Sequence, residues 1–355
     1  MLNLFLLKII EFSMIIRSKA PLRIGLAGGG TDVSPYSDLF GGSILNATIN
    51  LFAHATIEPL DNDSIEFIAR DKNESVTYDM AEYLDDCGLL NLHRGVYNRI
   101  IKDFNLEALS FRLTTYVDAP PGSGLGSSST LVVAMLGAFV EWLQLPLGEY
   151  DIAHLAFEIE RKDLALKGGK QDQYAATFGG FNFMEFYADD KVIVNPLRIR
   201  KKLIWELQNN IVLFYTGTSR DSADIIEKQE VNVQAKNQKA IEATHKVKEQ
   251  AIAMKEAILT GKHSQIGHIL NDTWEHKKNM ADGISNDAIE AIYEAAKRAG
   301  ATGGKISGAG GGGFMFFYCP LNTRYDVVNA MKKFNGMVQQ YHFTPTGLYS
   351  YTIDE

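Results

Sequence analysis

The chain has 355 residues, 46% hydrophobic and 22% charged, with a formal net charge of −8; this length predicts two domains sharing an interface, and the composition argues against disorder and against a membrane-embedded chain. The acidic balance argues against a nucleic-acid partner, because phosphate backbones select basic faces and the longest basic run, residues 198–202, reads as a solvated connection. Cys87 and Cys319 are too few for a disulfide framework or a cysteine zinc site, and the histidines include no metalloprotease pair, so a reducing cytoplasm is expected and zinc hydrolysis is set aside.

The opening stretch MLNLFLLKIIEFS is apolar but interrupted by Lys8 and Glu11, lacks a small-residue cleavage site and is too short to span a bilayer. Residues 1–13 are therefore a leader of open role, and folded structure is expected from Met14. Residues 15–60 alternate or run in short apolar blocks and predict strands, and residues 64–78 predict a hairpin turning at Asp71-Lys72-Asn73. Leu89, Leu92, Val96 and Ile100 have helical spacing, after which LSFRLTTYVDAPP returns to strand alternation and is stopped by Pro120-Pro121.

The loop PPGSGLGSSST, residues 120–130, then leads into TLVVAMLGAFVEWLQL, an apolar run of helical length. A second helix, DIAHLAFEIERKDLAL, leads to a glycine-bearing turn, KGGKQDQYAATFGG, and to two strands ending near Pro196. A domain boundary is expected near 196–205, giving domains at 14–200 and 201–355. The second half opens with the strand NIVLFYTG and becomes helical and charged from Asp224 to about Leu259. NDAIEAIYEAAKRAG follows as a helix with an Asn cap and Gly300 as its stop; KISGAGGGGFMFFYC turns through glycines into a strand, and a helix at about 325–334 and terminal strands complete an α+β unit.

Glycine concentrates at 27–32 (AGGGTD), 122–129 (GSGLGSSS) and 307–314 (SGAGGGGF), and together these clusters predict three loops meeting at a ligand. No Gly-Lys pair is followed by Ser or Thr, which excludes the Walker A loop. The third cluster satisfies G-x-G-x-x-G but runs from helix into strand, the reverse of the dinucleotide fingerprint. The middle cluster passes on physical grounds: glycines let backbone approach a phosphate, and the N-terminus of a helix aims N–H groups and the positive dipole end at the anion. Its serines add hydroxyls, one to cap the helix and another to face a cation.

These three motifs in this order resemble the GHMP kinase superfamily, which includes galactokinase, homoserine kinase and mevalonate kinase. The resemblance runs from Met14 over nearly the whole chain: APLRIGLAGGGTD is similar to its N-terminal motif, PPGSGLGSSST to its phosphate-binding motif, and KISGAGGGGFMFF to its C-terminal glycine loop. It implies an α+β fold with a ribosomal protein S5 domain 2-like N-terminal domain, including a left-handed crossover, and a ferredoxin-like C-terminal domain. It also implies transfer of the γ-phosphoryl group of ATP, with Mg²⁺, to a small molecule. Gly122, Ser123, Gly124, Leu125, Gly126, Ser127, Ser128 and Ser129 are then the phosphate cradle. Ser128 and Glu160 match the metal-holding pair, and Asp172 matches the aspartate used as base. Arg23 takes the place of the family's basic residue, expected to keep Asp172 ionised and to neutralise developing charge.

Gly29, Gly30, Thr31, Asp32, Gly308, Ala309 and Gly310 are implied acceptor-binding positions. The glutamate and histidine of the galactokinase motif are missing here while Asp32 is kept, and homoserine kinases lack the aspartate base, so both substrates fit poorly. The N-terminal motif, GGKQDQYAATFGGFNF and FYTGTSRDSADI together resemble the heptose-phosphate kinase branch, which phosphorylates the anomeric hydroxyl of a heptose 7-phosphate. Lys170 and Arg220 are candidates for the substrate phosphate. Fucokinase is the nearest rival; a non-catalytic sugar and ATP sensor would show damage at Asp172, Glu160 or Ser128, and an RNA-associated module conflicts with the acidic charge. The expected partners are a sugar phosphate and ATP, without nucleic acid or membrane, and a homodimer is left open.

Overall fold

A computed structural model describes residues 14–85, 88–218 and 222–354; the leader, Cys87 and Arg220 lie outside the described residues. In chain order the helices are α1 (Tyr36–Phe40), α2 (Asn91–Phe104), α3 (Ser127–Leu143), α4 (Glu149–Glu158), α5 (Gln171–Phe178), α6 (Lys201–Asn210), α7 (Ser222–Gln234), α8 (Gln238–Thr260), α9 (His263–Lys277), α10 (Asp287–Arg298) and α11 (Arg324–Met331). Among the described residues, no helix is long and apolar enough to cross a membrane.

The first sheet is built on two long antiparallel strands, β1 (Met14–Ala27) and β2 (Gly42–Pro59), with irregularities in the pairing at Pro21/Arg23 and Gly25/Ala27. β2 continues to β5 (Phe111–Val117), and its first half also pairs with β6 (Phe181–Phe186), which carries β7 (Val192–Pro196). The expected hairpin is β3 (Ser64–Ala69) and β4 (Glu74–Asp79), with β3 parallel to β5. From Ala20 onward β1 is buried at every position, so APLRIGLA reads as a continuous apolar run broken by one charge, Arg23. A charge there requires a partner, and its partner defines the site below.

The second sheet contains β8 (Ile211–Tyr215), β9 (Gly303–Ile306), β10 (Phe314–Tyr318) and β11 (Met337–Gln339) in the order β11-β8-β10-β9, with antiparallel pairing throughout. With helices between β8 and β9 and between β10 and β11, this is the implied ferredoxin-like arrangement. α10 starts at the expected cap, where the Asn286 side chain accepts from the Ile289 N–H at 3.0 Å. The last strand, β12 (Tyr349–Asp354), returns to the first sheet and pairs antiparallel with β1. One apolar core joins the two halves: Leu131 and Leu136 of α3 share it with Met254 of α8, Leu270 of α9 and Phe316 of β10.

Four helices differ from the sequence reading. Residues 36–40 form α1 inside the expected strand region, residues 171–178, within the expected glycine turn, form α5, residues 201–210, beginning in the basic connection, form α6, and residues 263–277, beyond the expected helical stretch, form α9. α5 is only eight residues long and lies between Gly169 and Gly179-Gly180, so its window is too short for a helical period to emerge. Its burial of Tyr174, Ala175 and Ala176 under α4 comes from tertiary packing.

Candidate active site

The three glycine clusters border one cleft of about 580 Å³, lined among others by Gly30, Gly122, Gly126, Asp172, Lys277 and Gly308. Its phosphate-facing wall is the loop that opens α3. Gly126 occupies the N-cap position at φ +80°, and among the described residues no side chain caps the first turn, so the expected serine cap is absent there. A glycine has no side chain to accept from the first N–H groups of α3, which are left for a ligand. Ser127, Ser128 and Ser129 line the cleft with Gly122 and Gly124, while Ser123 and Leu125 are buried beneath it as supports. The Ser123 carbonyl accepts from the Phe314 N–H, and the Leu125 carbonyl from the Arg23 N–H.

The middle and third clusters meet backbone to backbone. Gly124 has φ +76°, and a Cβ there would lie 2.3 Å from the Ser307 carbonyl oxygen. Gly124→Ala adds a left-handed residue to a contact that cannot yield by rotating a side chain. It is expected to cost about 2–5 kcal/mol, read as a lower midpoint in thermal denaturation together with weaker ATP binding.

Asp172 is the second residue of α5, and Arg23 from β1 holds it. Arg23 Nε and Nη2 both reach Asp172 Oδ1, at 2.7 and 2.6 Å, while Nη1 donates to the Gly124 carbonyl at 2.7 Å and lies 3.4 Å from the Ser307 hydroxyl. One buried guanidinium thus ties the aspartate to two of the glycine loops. Among the described residues Asp172 Oδ2 has no hydrogen-bond partner, and the side chain keeps 23% of its surface open.

Glu160 lies in the single π-helical turn after α4, with 1% of its surface exposed. Burial pushes its carboxyl pKa up against the opposing pull of Arg161, Ser129 and Gln173. Gln173 Nε2 donates to both Glu160 Oε2 and the Ser129 hydroxyl, so the hydroxyl coupled to Glu160 belongs to Ser129; Ser128 lies in the same cleft wall. Among the described residues no group of three His, Cys, Asp or Glu is placed to hold a metal ion. A buried carboxylate beside serine hydroxyls is an oxygen donor set suited to a hard cation that completes its shell with water and phosphate oxygens.

Asp32 is 1% exposed at the start of α5, its Oδ2 accepting from the N–H groups of Lys170 and Gln171 at 2.8 and 3.0 Å. Burial raises its pKa, the Gln171 N–H pulls it back, and the charge of Asp172 raises it again. Asp32 therefore anchors the start of α5 as well as bordering the cleft. Gly30, Gly308 and Ala309 line the cleft as expected. Gly29, Thr31 and Gly310 do not: Thr31 is buried in a reciprocal bond with the Ser43 backbone, Gly310 packs on Ile284, and Gly29 offers its carbonyl to Lys277.

Lys170 is directed elsewhere. Its ammonium pairs with Asp190 Oδ1 at 2.8 Å over the Phe157 ring, and its residue is 2% exposed, so the expectation that it binds a substrate phosphate is replaced by a structural ion pair. The cleft instead receives Lys277 from the last turn of α9, which sequence reasoning passed over. Burial brings the Lys277 pKa down to about 8 against the attraction of Asp32. Gln173 and Gln229 are further residues of the site without a local sequence signal; each becomes visible only through what it faces.

The chain matches the GHMP kinases N terminal domain over residues 91–180 and the GHMP kinases C terminal domain over residues 254–336. It is 48% identical to the D-glycero-alpha-D-manno-heptose 7-phosphate kinase of Campylobacter jejuni, covering 95% of this chain and 99% of that one. The crystal structure of a D-glycero-D-manno-heptose 1-phosphate kinase from Bacteroides thetaiotaomicron superposes with a TM-score of 0.82 at 48% identity, over 95% of this chain and 99% of the other. The L-fucokinase/L-fucose-1-P guanylyltransferase of Bacteroides fragilis is 26% identical over 85% of this chain, which spans 34% of that longer protein.

Proposed function

The chain belongs to the GHMP kinase family, and on that premise we propose that it transfers the γ-phosphoryl group of ATP to the anomeric hydroxyl of D-glycero-D-manno-heptose 7-phosphate, giving the 1,7-bisphosphate. The observation that carries this reading is the Arg23-held carboxylate of Asp172, placed beside the N-terminus of α3, where a Cβ on the N-cap Gly126 would lie 3.0 Å from the carboxyl carbon. ATP phosphates lie against residues 122–129, and the acceptor lies between Asp172, Asp32, Gly30 and Gly308. Ser128, Ser129 and Glu160 would hold Mg²⁺, which would supply positive charge to neutralise the phosphates. The Asp172 carboxylate accepts the acceptor's proton through Oδ2, while Arg23 fixes Oδ1 and adds positive charge beside the phosphate loop. The N-terminal domain is assigned to 14–200 and the C-terminal domain to 201–355, with β12 docked on the former, and the reaction is placed in the cytoplasm, on the route to nucleotide-activated heptose for surface glycans.

Incubation with ATP, Mg²⁺ and the heptose 7-phosphate is expected to release one ADP per substrate consumed and to yield the 1,7-bisphosphate, read by phosphorus NMR. The relatives' names differ in the position of the existing phosphate, so the heptose 1-phosphate belongs in the same panel. Turnover of the 1-phosphate alone, or of L-fucose alone, overturns the proposed acceptor and keeps the kinase.

A further inference from the structure

The acceptor end of the cleft contains two polar side chains from the C-terminal half that the catalytic arrangement above does not use. Lys277 is 1% exposed, yet it lines the cleft, and among the described residues its ammonium makes one hydrogen bond, to the Gly29 carbonyl at 3.3 Å. Gln229 of α7 is 6% exposed and also lines the cleft, and among the described residues its buried Nε2 has no hydrogen-bond partner. The two flank the first glycine loop: a Cβ on Gly29 would lie 3.5 Å from Lys277 Nζ, and one on Gly30 would lie 3.2 Å from Gln229 Oε1. Buried donors without acceptors cost free energy unless a ligand supplies them.

We propose that Lys277 and Gln229 recognise the hydroxyl oxygens of the acceptor, Lys277 donating from its ammonium and Gln229 from its amide nitrogen. The inference rests on reading the cleft as a sugar-kinase site. Acceptor atoms interleave with these donors: the Asp32 carboxylate borders the same corner, and Gln171 Oε1 is buried there without a partner among the described residues. Hydroxyls both donate and accept and so match such a mixed set, whereas a phosphate dianion would meet the Asp32 carboxylate. The charged groups acting on Lys277 are Asp32 from the loop after β1, which favours its ammonium, and Arg23 of β1, which opposes it; the buried Lys305 of β9, itself under the influence of Lys277, is bonded to the Gly25 carbonyl at 2.6 Å. With a pKa near 8, Lys277 loses its proton as pH rises through the upper physiological range. The donor role should therefore weaken above that point and hold below it.

The test uses the full chain and whichever sugar of the panel above the wild type phosphorylates. Lys277→Met is expected to raise the acceptor KM about 10- to 100-fold, the range for losing a hydrogen bond from a charged donor, with the ATP KM within about twofold of wild type. Gln229→Leu, on a different helix, should raise the acceptor KM by about three- to tenfold and gives an independent reading where Lys277→Met fails to fold. In the wild type, kcat/KM for the acceptor should fall as pH passes about 8, and Lys277→Met should lose that limb. Unchanged acceptor KM in both variants, equal losses for ATP and acceptor, or losses confined to phosphorylated acceptors would each overturn the assignment. Turnover of a sugar other than the heptose phosphate overturns the substrate named above and leaves this test in place.

Discussion

Asp172→Asn is expected to lower kcat by about 10²- to 10⁴-fold, the range for a positioned general base, while the dissociation constant for ATP stays within about twofold of wild type. The hydroxyl must lose its proton as the new P–O bond forms, and Oδ2 is the carboxylate oxygen that Arg23 leaves unbonded. An asparagine oxygen in place of Oδ1 still accepts from Arg23, so α5 and the glycine loops keep their support and the loss falls on the transition state. Stopped-flow nucleotide binding and steady-state kinetics separate the two quantities. Equal losses in ATP binding and rate would make Asp172 a structural residue.

Arg23→Met is expected to damage both fold and rate. The guanidinium has 4% of its side chain exposed and joins Asp172, the Gly124 carbonyl and the Ser307 hydroxyl, so its loss strips a carboxylate of its donor and leaves the Gly124 carbonyl to the Ser307 hydroxyl alone. Breaking a buried pair by deleting one partner costs about 3–5 kcal/mol; because Asp172 is 23% exposed, about 2–4 kcal/mol is expected here. kcat should fall by a further two to three orders of magnitude, roughly the loss on removing an oriented electrostatic donor. Arg23→Lys should recover part of the stability and little of the rate, since an ammonium cannot span Asp172 and Gly124 with a rigid fork. Denaturant titration reads the first effect and kcat the second. In the Arg23→Met, Asp172→Asn double variant the losses should be less than additive, because both changes break the same contact; strict additivity would separate the two residues.

Composition and local pattern determined much of this protein. Alternation and short apolar runs placed most strands of the first sheet and β8 and β10 of the second, the Asn286 cap and the all-round apolar sequence of α3 were readable residue by residue, and the glycine clusters announced a phosphate loop without Walker chemistry. These features are local: periodicity, caps and turn residues act within a few positions along the chain. The motifs also named Arg23, Asp172 and Glu160, but only folding brings Arg23 onto Asp172, 149 positions away.

Only the tertiary structure decided how the remaining candidates divide. Lys170 and Lys277 are both buried lysines in chemically ordinary surroundings along the chain; one meets Asp190 and the other reaches the cleft, because burial and the nearest opposite charge are set by elements far apart in sequence. The coupling of Glu160 to Ser129 through Gln173 has the same origin, since α5 is packed by α4 and anchored by Asp32 rather than specified by its own eight residues. Sequence states which chemistry is present, and the free energy of desolvating each charge in its final packing selects where that chemistry operates.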